Sequence, residues 1–162
     1  MSLERGVEVS TSYQDPSRPE DERSGAPATS AVEVRVAAQA AQLAVMRAVV
    51  GDLAMRADFD VDSIADLRLA VDEACSSLVR VAAPEASLLC RFESGDDHIG
   101  VRAEVRSTDG SAPRKDTFSW RVLTALTDTV HTSVEASEAA DGAAGGTHVV
   151  RIDLAKGRTG QE

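Results

Sequence analysis

The stretch Asp66–Val81, DLRLAVDEACSSLVRV, sets an acidic residue deep inside an otherwise apolar, helix-forming run. At about 100° per residue, Ile64, Leu67, Val71, Ala74, Cys75, Leu78 and Ala82 fall in one broad stripe suited to packing on a sheet. Asp66, Glu73, Ser77 and Arg80 fall on the other side. Two readings of that side are open. Either Glu73 and Ser77 stand one turn apart over a cleft, or they belong to the wet face of an ordinary amphipathic helix.

Working outward, FDVDS at 59–63 reads as the start of this helix, with Asp60 or Asp62 able to accept the orphan amides of its first turn. The helix should stop before Pro84. Gln39–Ala57 has the same period, with Leu43, Met46, Val49, Val50 and Leu53 on its apolar face and Gly51 as its weak point. From Ala31, Val32, Val34 and Val36 alternate with Glu33 and Arg35, which predicts a half-buried strand. Ser87–Phe92 and His98–Ser107 are strands joined by the polar turn ESGDD, so they should pair antiparallel, with Ile99, Val101, Ala103 and Val105 on one face. After the Gly110 and Pro113 linker, Phe118–Leu126 is a short apolar helix containing Trp120 and Val122, and Val130–Ala136 is a strand. SEAADGAAGG at 137–146 is a flexible stretch, and Thr147–Leu154 is the last strand, with His148, Val150, Ile152 and Leu154 facing one way. This order predicts an α/β sandwich, a mixed sheet covered by helices on one face.

With 162 residues and only one Trp, one Tyr and three Phe, the chain can build one domain with a core of Val, Leu, Ile and Ala. The proline-rich, poorly buriable residues 1–30 read as a disordered arm, 31–157 as the domain and 158–162 as a flexible tail. A net charge of −10 without a basic run disfavours direct nucleic-acid binding and points to a basic protein surface as partner. Cys75 and Cys90 lack the spacing of a secreted disulfide framework and read as reduced core residues. No apolar run reaches the ~20 residues of a membrane span, and Glu4, Arg5 and Glu8 break a signal-peptide pattern, so a cytoplasmic protein with no membrane role is expected. His98, His131 and His148 show no metal-ligand spacing.

The element order, Glu73 within DEACSSLVR, and the closing GGTHVVRIDL together resemble the RsbW-type anti-sigma factors, in their actinobacterial anti-sigma-F form, over about residues 31–157. Those proteins belong to the histidine-kinase-like ATPase superfamily, so the resemblance implies a Bergerat-type fold with a mainly antiparallel sheet. It makes Glu73 the catalytic base and puts Ser77 where the family has a magnesium-holding Asn. Ser77 is thus the candidate metal and nucleotide ligand. In VRSTDGSAP, Asp109 and Gly110 match part of the adenine-reading D-x-G-x-G, whereas alignment on the preceding VR puts Ser107 in that place. Gly145, Gly146 and Thr147 keep the last nucleotide box. Where the family carries a glycine-rich phosphate lid, this chain has Ser119, Trp120 and Arg121, and side chains there obstruct the backbone approach to phosphate. Arg80 could meet a phosphate, pair with Glu73 or stay in solvent.

ATP and magnesium are the cofactors the resemblance implies, with a site whose motifs are degraded. The implied partners are an alternative sigma factor of the sigma F or sigma B kind, a STAS-domain anti-anti-sigma protein that releases it, and a second copy in a homodimer. Arg47 on the first helix is the partner-binding candidate by resemblance, and Asp52, Asp58, Asp60, Asp62 and Asp66 surround it with charge complementary to a basic sigma domain. Two functions follow. One is sequestration of the sigma factor over a decayed ATP site. The other is an active serine kinase that also phosphorylates the anti-anti-sigma partner.

Overall fold

The computed structural model describes residues 6–11, 29–137 and 148–160. In chain order the elements are β1 (Glu8–Thr11), β2 (Ser30–Ala37), α1 (Leu43–Arg56), α2 (Val61–Val81), β3 (Ser87–Ser94), β4 (His98–Ser107), α3 (Phe118–Leu126), β5 (Thr129–Ala136) and β6 (His148–Gly157). They form one six-stranded sheet of order β1-β2-β3-β4-β6-β5. The expected α/β sandwich is present, but every ladder is antiparallel, so the sheet is not mixed among the described residues.

Register explains which face is buried. Val36, Leu88, Val105 and Val150 lie opposite one another in one row, Val34, Cys90, Ala103 and Ile152 in the next, and Val32, Phe92, Val101 and Leu154 in the third. Because side chains alternate along each strand, these rows share one side of the sheet. All of them except the partly exposed Val32 are buried. The other side is polar and closed by cross-strand pairs: Arg91 with Glu33 at 3.1 Å, Arg102 with Asp153 at 2.7 Å and Arg151 with Glu104 at 2.9 Å. The first two of these pairs are substantially exposed and contribute roughly 0–1 kcal/mol each, and the main effect of all three is to keep that face polar.

The apolar face is covered by α1 and α2. Leu67, Ala70, Val71, Ala74, Cys75 and Leu78 of α2 are buried, close to the predicted stripe, and Leu43, Met46, Val50 and Leu53 of α1 join the same core. Gly51 does not interrupt α1; it lies where a Cβ would come within 2.5 Å of the Arg68 guanidinium on α2, so its place reflects close helix contact. Asp60 is the N-cap of α2 and accepts a bond from Ser63 N at 2.7 Å.

Two differences from the sequence expectations concern the ends. Glu8–Thr11, inside the expected arm, is an edge strand paired to β2. All four of its side chains are exposed, so no apolar alternation announced it. β6 continues to Gly157, and Arg158 N donates to Asp97 O at 2.6 Å while Thr159 Oγ1 donates to Asp60 Oδ2 at 2.6 Å, so the expected tail starts by binding the body of the domain. The flexible stretch expected at 137–146 lies, past Ser137, outside the described residues, as does Thr147.

Two outcomes test this packing. Phe92, fully buried in the sheet row, should cost about 3–5 kcal/mol on Phe92→Ala, read by denaturant unfolding. The bond from Thr159, with those from Ser63, lowers the Asp60 carboxyl from 3.8 to about 2. A depressed carboxylate stabilises the folded state above its ordinary pKa, and that contribution is lost as pH falls through the folded value. Thr159→Ala should therefore move the Asp60 titration, followed by carboxyl-carbon NMR, upward toward the ordinary range. An unchanged titration would show that Thr159 does not hold Asp60.

Candidate functional site

The centre of the candidate site is a junction between α2 and α3. Thr117 caps α3, its Oγ1 accepting from Trp120 N at 3.2 Å and donating to Arg114 O at 3.0 Å. That cap starts the helix so that Ser119, in its first turn, faces α2. Ser119 Oγ donates to Glu73 Oε2 at 2.5 Å and lies 3.2 Å from Ser77 Oγ. Ser77 Oγ donates in turn to the Glu73 carbonyl at 2.9 Å, the i to i−4 bond common for a serine inside a helix. The three residues thus form one hydrogen-bonded cluster at the base of α3.

Beside this cluster is a cavity of about 300 Å³ between the end of α2, the 111–117 loop and α3. Its wall is mainly apolar, from Val81, Ala112, Pro113, Trp120 and Leu123, with Ser77, Ser119 and Arg80 at its polar edge. Glu73 does not line it, since Ser119 takes its carboxylate. Arg80 is exposed and makes no ion pair with Glu73 among the described residues. Lys115 Nζ lies 5.5 Å from the centre of the Trp120 ring, a cation–π contact that holds the indole at the cavity edge. Arg114, also on the wall, is already bound by Asp116 through two bonds.

The remaining candidates separate from this cluster. Asp109 accepts from Ser111 N at 3.0 Å and from Ser107 Oγ at 3.2 Å, and these bonds, the Ser111 amide first, hold its carboxyl below the usual range. Gly110 follows at φ +67, the left-handed region that favours glycine, against the ring of His148. Asp109 and Gly110 therefore build a turn and do not line the cavity. Ser107 is buried at the end of β4. Gly145, Gly146 and Thr147 lie outside the described residues. Arg47, on α1, pairs with Asp72 of α2 at 3.2 Å, next in sequence to Glu73. Of the acids around it, Asp52 pairs with Arg56 at 2.9 Å, Asp66 with Lys156 at 3.6 Å, and Asp60 caps α2.

Among the described residues, the side chains expected to serve a nucleotide are engaged within the protein. Ser77 Oγ donates to the Glu73 carbonyl, Glu73 accepts from Ser119, Asp109 accepts from its own turn, and Trp120 lines the neighbouring cavity. Sequence reasoning marked Ser119 only as a replaced lid residue. Its contact with Glu73 is not readable from spacing, because the two are 46 residues apart.

Residues 36–146 match the family described as Histidine kinase-like ATPase domain. The chain is also 43% identical over 102 residues to the Anti-sigma-F factor RsbW of Mycobacterium tuberculosis, in the CDC 1551/Oshkosh strain and in the H37Rv strain. Each of these alignments takes in 63% of this chain and 61% of the relative, so the chain spans under two thirds of the length of the relatives it matches. The antiparallel sheet with helices on one face, the position of Glu73 on α2 and the family match over most of the domain agree: this chain belongs to the histidine kinase-like ATPase domain family.

Proposed function

We propose that this chain is an anti-sigma factor of the RsbW type, which sequesters an alternative sigma factor of the sigma F or B kind and gives it up to a STAS-fold anti-anti-sigma protein. The observation that carries this reading is the 43% identity to proteins named Anti-sigma-F factor RsbW. The binding surface is the exposed side of α1 around Arg47, and the active form is a cytoplasmic homodimer. Sequestration requires only that the partner's polymerase-binding and DNA-binding surfaces be covered. It makes no demand on a nucleotide, which agrees with a site whose base and metal-side hydroxyl are bonded to the protein itself. Charge favours this pairing, since a chain of net charge −10 attracts a basic, DNA-reading partner and speeds the encounter.

One observation favours the second reading, an ATP-dependent serine kinase acting on the STAS partner. Glu73 already accepts a bond from a serine hydroxyl, the contact a general base makes with an acceptor serine. In that reading Glu73 is the catalytic residue, and Ser77, Asp109, Gly110, Gly146 and Thr147 serve the nucleotide, with Ser77 on the metal.

Calorimetry separates the two. The full chain should bind the cognate sigma factor without nucleotide, Glu73→Ala should leave that affinity unchanged, and magnesium-ATP alone should give no binding heat. Absence of a sigma complex would remove the proposal, and phosphate transfer to the STAS serine that vanishes in Glu73→Ala would establish the kinase. Arg47→Ala should weaken sigma binding by about tenfold or more, as an interfacial arginine does. Losing its half-exposed pair with Asp72 should cost no more than about 1 kcal/mol of fold stability, so binding and unfolding measured together distinguish a partner contact from a structural one.

A further inference from the structure

The two cysteines, 15 residues apart in sequence, meet in the core. Cys75 Sγ of α2 lies 3.7 Å from Cys90 Sγ of β3, and both residues are buried as free thiols. We infer that Cys75 and Cys90 form a reversible intramolecular disulfide, an oxidation site that ties α2 to the central strands. Three observations support the geometry. The sulfurs already touch, and the remaining approach to a bond of about 2.05 Å is under 2 Å, shared between two side chains. On its β4 side Cys90 faces only Ala103, with Val34 on its β2 side, so the alanine leaves room for that thiol to rotate. No other cysteine exists in the chain to compete.

The oxidant is a peroxide. One thiolate attacks a peroxide oxygen, the O–O bond breaks and the leaving oxygen departs as water after protonation, leaving a sulfenic acid. The second thiol, already in contact, attacks that sulfur; its proton and the departing hydroxyl leave as a second water as the S–S bond forms. Two thiols lose two electrons and the peroxide gains them. The Cys75 contact and burial push the Cys90 thiol up, so the first step waits on local opening and is slow. The second needs no further opening, so oxidation stops at the disulfide instead of advancing to sulfinic acid.

The test uses the full reduced chain and hydrogen peroxide, followed by denaturation, alkylation, intact mass and non-reducing peptide mapping. The expected product is a monomer that takes up no alkyl group and gives one peptide pair joined through Cys75 and Cys90. Its unfolding midpoint should be raised by roughly 5–10 °C, the effect of closing a loop of this length, and dithiothreitol should reverse it. Cys90→Ala should instead accumulate a dimedone-reactive sulfenic acid at Cys75. Two alkylatable thiols after oxidant, sulfinic acid at either position, or a disulfide between chains would overturn the assignment. If Cys90→Ala fails to fold, the peptide map of the unmutated chain still decides.

Discussion

Everything in this domain depends on how closely α2 lies on the sheet. Ala70, Val71, Ala74 and Cys75 make a narrow helix face, and it meets a sheet row whose middle members, Cys90 and Ala103, are also small. Small residues on both sides let the backbones approach and bury the flanking Leu67, Leu78, Phe92 and Ile152 completely. Close packing of this kind sets the position of α2 within a fraction of a side chain, and the helix carries Asp72, Glu73 and Ser77 with it. The contact with α1, the cluster at α3 and the thiol pair are consequences of that one seating.

The seating also explains the character of the site. Glu73 is partly buried on α2, on the side where the first turn of α3 reaches it. A carboxylate there needs a donor, and the first turn of α3 supplies one in Ser119, near the helix end whose partial positive charge favours an anion. The result is a bonded cluster with an apolar cavity beside it, in place of an open acidic cleft. Trp120, braced by Lys115, and Leu123 occupy the cavity wall.

The open face of the sheet makes a different contribution. Its arginines alternate with acids across β2, β3, β4 and β6, and each of Arg91, Arg102 and Arg151 is paired. Positive charge is thereby consumed within the sheet, and the acidic excess of the chain is left to other surfaces. Among the described residues no helix is long and apolar enough to cross a membrane.

Periodicity alone determined most of the architecture, because each element with one buried face writes that face into its sequence. β4 and α3 have the bounds their patterns predict, and the stripe on α2 is nearly the one read at 3.6 residues per turn. β1 escaped because its side chains bury nothing, and backbone pairing leaves no mark on composition. Glu73 and Ser77 were legible as neighbours one turn apart, and Asp109 with Gly110 as a turn. Only the tertiary structure decided that Ser119 would hold Glu73, that Asp109 would bond its own loop, that Thr159 would brace the cap of α2 and that Cys75 would meet Cys90. Each of those except the Asp109 turn joins residues distant in sequence, and such a contact exists only once the sheet register and the seating of α2 have brought the two side chains to one point in space.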